Sequence, residues 1–282
     1  MTTSPPFGAE WSASLRDGSE DELRGWVDLA LAICDQTDVL ALRHFRRDMV
    51  MNRKADRSWV TEADQAAERI IRDRIASAHP NHGLVGEEYG TEAGIGDVRW
   101  YIDPIDGTHN FIRGVPHFAT LLAVERGGEL QASVISAPAL GERWYGWRGG
   151  GAWSVGAPGT DAPRRLHVSA VSELADAQVV YGSARDLLAS PLVPGFGHWL
   201  EGAWRDRGFG DFWGYTLIAE GAAEAMVEVG LSPWDIAAPM LLVEEAGGRV
   251  TDLDGRRTVT GPGFVTSNGL VHDDTLQMLT TR

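Results

Sequence analysis

The segment WYIDPIDGTHNF, residues 100–111, constrains the fold of this chain more than any other stretch. It begins with the apolar residues of a buried strand and then places Asp103, Pro104 and Asp106 before a Gly-Thr pair. Carboxylates gathered at the end of a buried strand repel one another and have raised pKa values unless a cation lies between them. The segment therefore predicts a core strand that delivers negative charge to a site.

Further acidic residues occupy comparable positions elsewhere in the chain. Glu87 and Glu88 follow the short strand expected in HGLVGEEYG, and Asp235 lies in WDIAAP at a helix start. Each of them singly has the ordinary interpretation of a helix cap or a surface charge. Together with the two aspartates they form a set of hard oxygen donors with few histidines, which favours Mg²⁺ or Mn²⁺ over Zn²⁺.

Two amphipathic helices are predicted ahead of these segments. Apolar residues recur at helical spacing from residue 21 to about residue 45. A second helix begins in TEADQAAERIIRDRI, where Thr61 can cap it and Asp64 stands three residues later, as in a capping box. Pro80 ends this second helix.

The middle and second half of the chain predict mixed strands and helices. Residues 118–153 indicate antiparallel hairpins with glycine turns at 127–128 and 149–151. The second glycine turn lacks the Gly-Lys-Ser/Thr ending and the following helix of a phosphate-binding loop. Later strands are expected near AQVVYGSA and AEAMVEVG, with helices at 212–221 and 236–247. Elements in blocks of this kind predict a layered αβ architecture.

The composition excludes two classes of partner and indicates a compartment. The chain has 40 acidic and 25 basic residues, a formal charge of -15, which repels nucleic acid and anionic lipid surfaces. It has no run of about 18 apolar residues, so we expect no membrane span. The single cysteine, Cys34, fits a buried thiol in a reducing compartment, and we expect a cytoplasmic protein.

Length and local composition bound the domain organisation. With 282 residues and 43% hydrophobic content, the chain can bury the core of one large domain or of two packed halves. Residues 1–20 are polar, contain Pro-Pro and do not follow the pattern of a signal peptide, so we expect a loose extension there.

Four ordered segments resemble the inositol monophosphatase family of Mg²⁺-dependent, lithium-sensitive phosphatases. They are VTEADQAAERIIRDRI, GLVGEEYG, WYIDPIDGTHNFIRGVPHFATLLAVE and WDIAAPMLLVEEAGGRV, and the likeness runs from about residue 21 to residue 278. The resemblance implies an α+β fold, a layered αβαβα sandwich, and a homodimer. It also implies one catalytic domain over 21–282, with a metal-binding half at about 21–155 and a substrate-recognising half at about 156–282.

The resemblance assigns metal ligands to this sequence and implies two or three Mg²⁺ ions per site, with Mn²⁺ as a possible substitute. The implied ligands are Glu87, Asp103, the backbone carbonyl of Ile105, Asp106 and Asp235. Two metal ions about 3.5 to 4 Å apart can clamp both the attacking and the leaving oxygen in a displacement at phosphorus. This accounts for the negative charge at the end of the strand.

By the same match, Asp64 and Thr108 orient and deprotonate a metal-activated water, and Glu88 supports the metal shell. Gly107 and Thr108 begin the next helix, so their N–H groups and the helix dipole can cradle a phosphate. We expect Pro104 to form a turn that aims both neighbouring aspartates at one point. Asp64 also has the simpler interpretation of a capping acid.

The second half departs from the inositol enzymes at Asp211, which occupies the place of a small residue, and this pattern resembles the histidinol-phosphatase branch of the family. We expect Asp211 and Glu228 to bind the ammonium and the imidazole of histidinol phosphate, with Trp213 and Tyr215 beside the ring. The alternative for Asp211 is an N-cap of the following helix. The predicted substrate-binding set is Gly107, Thr108, Asp211, Glu228 and Asp235.

Several alternatives stay open at this point. An inositol-1-monophosphatase is the second enzymatic candidate, and a catalytically silent interaction protein is the candidate from another class. His109 and Arg113 either line the mouth of the site or lie on a solvated helix face. His79 and His82 flank a Pro-Asn turn and are not expected to bind metal.

Overall fold

The computed structural model of the chain describes residues 19–47, 50–53, 59–156 and 162–281. The helices are α1 Glu20–His44, α2 Glu62–Ala78, α3 Thr108–Ile112, α4 Ala184–Ala189, α5 Phe196–Gly202, α6 Asp211–Ala219, α7 Pro233–Glu245 and α8 His272–Thr280. The first strands are β1 Met51–Arg53, β2 Trp59–Thr61, β3 Gly83–Gly86, β4 Gly90–Glu92, β5 Val98–Asp106, β6 Ala119–Arg126, β7 Glu129–Ala137 and β8 Glu142–Trp147. The remaining strands are β9 Gly151–Gly156, β10 Arg164–Arg165, β11 Gln178–Tyr181, β12 Arg205–Arg207, β13 Ala225–Val229, β14 Arg249–Asp252 and β15 Gly263–Ser267.

Two large sheets organise these elements. The first has eight strands in the order β10-β9-β8-β7-β6-β5-β3-β4 and is antiparallel except where β3 pairs with β5. The second has five strands in the order β12-β11-β13-β15-β14, with β11 parallel to both of its neighbours. A small hairpin of β1 and β2 stands apart from both sheets.

Helices fill the space between the sheets and cover their outer faces. Helices α1 and α2 pack on one face of the eight-stranded sheet, and α6 and α7 lie between the two sheets. Helices α4, α5 and α8 cover the outer face of the five-stranded sheet. The order of layers is αβαβα, so the predicted α+β sandwich is confirmed.

The two N-terminal helices form where the periodicity predicts them. Ser19 caps α1, and three acidic residues in its first turn stabilise the helix by interacting with its dipole. Thr61 and Asp64 form the predicted capping box of α2. Because α1 begins at Glu20, the predicted extension at 1–20 overlaps its first turn, and residues 1–18 lie outside the described residues.

The glycine turns also take their predicted roles. The segments 127–128 and 149–151 connect the strands of the central meander, and no phosphate loop is formed there. Cys34 is fully buried in α1, and burial raises the pKa of its thiol. Among the described helices, none has the length and apolar character needed to cross a membrane.

Candidate active site

A cavity of about 620 Å³ opens where the ends of β3, β5 and β13 meet the first turns of α3, α6 and α7. Its described lining contains six acidic residues and two histidines but no lysine or arginine. The acidic residues are Glu87, Asp103, Asp106, Asp211, Glu228 and Asp235. The cavity therefore combines the predicted metal ligands with the two acids predicted to bind the alcohol part of the substrate.

A β-bulge at the end of β5 directs two of these acids to the same side. Asp103 pairs with Leu121 and Asp106 pairs with Ala119, so two residues of β5 stand opposite one residue of β6. In a regular strand, residues three apart point to opposite faces, and the extra residue reverses that alternation. The predicted turn at Pro104 is wrong, because the strand continues through the bulge, where a missing N–H is tolerated.

The buried carboxylates strongly shift one another's pKa values. Burial first, and then the charges of neighbouring acids, raise the pKa of Asp103 well above its usual value. Those acids are Glu87, Asp106, Asp235 and Asp64. Burial and the Glu87 charge likewise raise the pKa of Asp235 to about 7, against hydrogen bonds from the Ser232 backbone and the Asp103 side chain.

The donor set suits a hard divalent cation. Oδ1 of Asp103 is buried without a hydrogen-bond partner, and a cation would satisfy such an oxygen. Among the described residues, no three His, Cys, Asp or Glu side chains stand together at metal-ligand distances. The residues present therefore fit the predicted metal by their chemistry and their burial.

Asp235 is brought to the cavity by the start of α7. Pro233 occupies the first turn of this helix, and Asp235 Oδ2 accepts a hydrogen bond from the backbone N–H of Ser232 at 2.7 Å. One carboxylate oxygen thus holds the helix start, and the side chain still lines the cavity.

The predicted pair of Asp64 and Thr108 is in contact. Thr108 Oγ1 lies 3.3 Å from Asp64 Oδ1 and 2.9 Å from the carbonyl oxygen of Ile105, so its one hydrogen is shared between two acceptors. The other oxygen of Asp64 accepts from the N–H and hydroxyl of Thr61. Asp64 is therefore both a capping acid and a neighbour of the site, and burial raises its pKa to about 6.

The backbone of the loop that carries Glu87 and Glu88 is held by Glu68, a residue that the sequence did not single out. The fully buried Glu68 carboxylate accepts the N–H groups of Glu88 at 2.7 Å and Tyr89 at 3.2 Å. It also pairs with Arg72 at 2.8 Å. The available signal was its position four residues after Asp64, on the buried face of α2.

The N–H group of Glu88 donates to the Glu68 carboxylate, which holds the backbone of this loop. The lining of the cavity includes Glu87 and does not include Glu88. The predicted support of the metal shell by the Glu88 side chain stays a prediction.

Gly107 takes a left-handed conformation, φ 77°, at the start of the five-residue helix α3. A Cβ atom here would lie 2.8 Å from the carbonyl oxygen of His117. Glycine is therefore needed both for the left-handed conformation and to avoid this clash. The predicted phosphate-binding turn therefore faces the cavity through Gly107 and Thr108. The first N–H groups of a helix have no partner within it and can bind an anion.

Asp211 is the first residue of α6 and is held by contacts from both halves of the chain. Its Oδ2 accepts a hydrogen bond from Asn110 Nδ2 at 2.9 Å and lies 3.9 Å from His117 Nε2. Its backbone N–H donates to Glu228 Oε1 at 3.2 Å. The alternative N-cap interpretation is wrong, because Gly210 occupies the cap and no side chain caps this helix.

Asp211 also has an unusual backbone conformation, with φ 53°, which few residues other than glycine adopt. Burial raises the pKa of its carboxyl, and this is opposed by His117, His109 and the hydrogen bond from Asn110. Strained residues of this kind often occur in binding sites.

Glu228 is buried beside Tyr215, whose hydroxyl donates to Oε2 at 2.8 Å. Burial and the neighbouring charge of Asp211 raise the pKa of Glu228 to about 8. Tyr215 lines the cavity as predicted, but Trp213 does not, because its ring packs against Phe209 and the edge of His117. Trp59 of β2 lines the cavity and was not anticipated, since nothing in its local sequence marks it.

The remaining candidate residues, three histidines and Arg113, lie in different environments. His109 lines the cavity, whereas Arg113 is exposed and lies outside its lining. The rings of His79 and His82 stack at 4.4 Å, and His82 Nδ1 accepts a hydrogen bond from the indole of Trp100. The described residues provide no metal cluster there.

Comparisons with known proteins agree with this geometry. The sequence matches the model of the inositol monophosphatase family over residues 26–281. The histidinol-phosphatase of Streptomyces coelicolor is 42% identical over 267 residues, covering 93% of this chain and 98% of that protein. The histidinol-phosphatase of Mycobacterium tuberculosis is 41% identical over 254 residues, covering 89% and 96%. Among solved structures, the IMPase of Thermotoga maritima has a TM-score of 0.81 at 32% identity and covers 90% of this chain and 96% of its own.

Proposed function

The chain belongs to the inositol monophosphatase family and is a phosphoric monoester hydrolase, and we propose that its preferred substrate is histidinol phosphate. Relatives named histidinol-phosphatase support this choice. The observation that carries it is the position of Asp211, whose carboxylate lies beside the phosphate-binding turn and lines the same cavity.

The short distance between the Asp211 carboxylate and the phosphate-binding turn suits an amino-alcohol phosphate as substrate. A Cβ atom on Gly107 would lie 3.5 Å from Asp211 Oδ2, so the acid stands beside the expected phosphate position. In histidinol phosphate the ammonium is on the carbon next to the phosphate-bearing CH₂ group. A carboxylate beside the phosphate site therefore suits that ammonium, and a charge-assisted contact is stronger than one to a neutral hydroxyl.

The charge of the whole cavity supports the same substrate class. Its described lining contains no lysine or arginine, so the described residues offer a second phosphate on the substrate no partner of that kind. Glu228 adds another acid beside Asp211, at hydrogen-bond distance from the Asp211 backbone. A substrate with a cationic alcohol part fits this cavity better than a bisphosphate.

Members of the family are generally metal-dependent, and we propose Mg²⁺ as the metal here, with two or three ions per site and Mn²⁺ as a substitute. Glu87, Asp103, Asp106, Asp235 and the Ile105 carbonyl would hold it. A bound divalent cation supplies charge stabilisation at phosphorus and makes water a better nucleophile.

The residues of the chain then divide the remaining tasks. The N–H groups around Gly107 and Thr108 bind the phosphate oxygens and orient phosphorus. Thr108 Oγ1 orients the attacking water, accepts a proton from it and gives its own hydroxyl hydrogen to Asp64 Oδ1. A carboxyl with a pKa of about 6 holds that proton better than an ordinary aspartate.

The decisive experiment compares kcat/KM for histidinol phosphate and inositol 1-phosphate in the wild type and in Asp211→Ala. We expect the wild type to prefer histidinol phosphate. Loss of a charge-assisted contact of roughly 1.5 to 3 kcal/mol corresponds to a fall of about 10-fold to 100-fold on that substrate alone. If inositol 1-phosphate is the better substrate and Asp211→Ala loses nothing on histidinol phosphate, the substrate proposal is wrong.

The same assay addresses the other candidates. An inositol-1-monophosphatase would show the reverse preference between the two substrates. A catalytically silent interaction protein would release no phosphate from any phosphomonoester, with or without Mg²⁺. The homodimer and the cytoplasmic location stay predictions, and gel filtration with light scattering tests the first of them.

A further inference from the structure

The backbone of Asp211 and of the next residue is fixed by two carboxylates, which leaves only the Asp211 side chain free to turn. Its own N–H donates to Glu228 Oε1, and the N–H of Phe212 donates to Asp106 Oδ2 at 2.7 Å. These bonds hold the unusual φ of 53° in place. The direction in which the carboxylate points must therefore be set by whatever contacts the side chain itself.

Asn110 is that contact. Its Nδ2 donates to Asp211 Oδ2 at 2.9 Å, and the chemistry fixes the direction, because a carboxylate only accepts hydrogen bonds. His117 is near the same oxygen, but at 3.9 Å it is beyond hydrogen-bond range. Its Nε2 is instead 3.1 Å from the carbonyl oxygen of Gly210. Within the described chain, Asn110 is the one hydrogen-bond donor to the Asp211 side chain.

The arrangement leaves the second oxygen of Asp211 for a ligand. Both contacts fall on Oδ2, and no described residue donates to Oδ1. The Asp211 side chain keeps 39% of its surface exposed and lines the cavity. Asn110 also lies beside the phosphate-binding turn, since a Cβ atom on Gly107 would be 3.5 Å from its Nδ2.

From these contacts we infer that Asn110 is a positioning residue for substrate selection, which holds the Asp211 carboxylate toward the ammonium of an amino-alcohol phosphate. The inference rests on the proposed function and deepens it. Asn110 acts through Asp211 and has no direct contact with the ammonium. Its loss therefore affects cationic substrates and spares neutral ones.

The test is a double-mutant cycle on Asn110 and Asp211, with histidinol phosphate as the cationic substrate and inositol 1-phosphate as the neutral one. Asn110→Ala is expected to raise KM for histidinol phosphate about 10-fold, with kcat and the inositol 1-phosphate reaction changed less than about 2-fold. In the Asp211→Ala background, Asn110→Ala is expected to have no further effect on selectivity. Asn81→Ala, in an exposed turn outside the cavity, is the matched control and is expected to keep wild-type selectivity.

A second variant keeps the inference testable if Asn110→Ala does not fold. Asn110→Asp has the same shape but places a second carboxylate beside Asp211, and we expect the same selective loss or a larger one. Retained turnover of inositol 1-phosphate shows that either variant is folded.

The outcomes separate the two proposals. If Asp211→Ala loses selectivity while both Asn110 variants keep it, the inference about Asn110 is wrong and the substrate proposal stands. Equal losses on both substrates, additive with Asp211→Ala, also overturn the inference, because they indicate a general structural role. If Asp211→Ala itself loses nothing, the substrate proposal fails and the inference falls with it.

Discussion

His272, at the start of α8, is fully buried with one hydroxyl at each ring nitrogen. Thr251 Oγ1 donates to the Asp252 carbonyl at 2.8 Å, so it accepts from Nε2 of His272 at 2.9 Å. Ser267 Oγ accepts from the N–H of Gly269 and donates to Nδ1 at 2.9 Å. The network selects the neutral ring with its hydrogen on Nε2, and a second hydrogen on Nδ1 would displace the bond that Ser267 donates to that nitrogen.

Protonation of this ring is therefore unfavourable in the folded protein. Burial first, and then the Arg249 guanidinium, lower the pKa of His272 from 6.5 to about 3, with Asp273 acting in the opposite direction. Between these two values the unfolded chain binds a proton that the folded chain does not, so the free energy of unfolding falls as the pH falls. At about 1.4 kcal/mol per pH unit, the loss from pH 7 to pH 5 is about 2 kcal/mol.

Urea unfolding at pH 7 and pH 5, in a chelator, measures this contribution in the wild type and in His272→Gln. The substitution lowers stability at both pH values, but its loss between them is expected to be smaller by about 2 kcal/mol. His198→Gln, on an exposed part of α5, is the matched control and is expected to keep the wild-type difference. If His272→Gln loses as much stability as the wild type on acidification, the reasoning from burial and the hydroxyl network is refuted.

Three further predictions concern the site. In a chelator at pH 8, Asp103→Asn is expected to raise the free energy of unfolding by about 1 kcal/mol or more, because it removes one of several mutually repelling buried acids, and the Mg²⁺-induced rise in Tm should be smaller than in the wild type; a less stable variant contradicts this. Gly86→Ala places a Cβ against Glu68 Oε1 and is expected to lower the free energy of unfolding by about 2 kcal/mol and to raise the Mg²⁺ concentration for half-maximal phosphate release; unchanged values in both assays would speak against the loop role of Glu68. Thr108→Val removes the hydroxyl beside Asp64 and is expected to lower kcat at least about 100-fold in a folded protein, as judged by circular dichroism; an active variant excludes the proposed proton route.

Patterns in the amino-acid sequence were sufficient to predict the family, the fold class and most of the local elements. Helices α1 and α2 were predictable because their apolar period, capping residues and terminating proline all act within a few residues. The glycine turns of the central meander were predictable for the same reason. The strand before Asp103 was also evident, since a run of apolar residues ending in acid has few interpretations.

The convergence of the acidic side chains depends on contacts between distant parts of the chain. The bulge that turns Asp103 and Asp106 to one side depends on the register of β5 against β6, and no local pattern around Pro104 specifies that register. The contact between Asn110 and Asp211 joins residues 101 positions apart in the chain. The position of Glu68 beneath Glu88 spans 20 positions and likewise needs the packed fold. Local signals set helices and turns, whereas the donors of the site come from separate strands and helices that meet only when both sheets pack around α6 and α7.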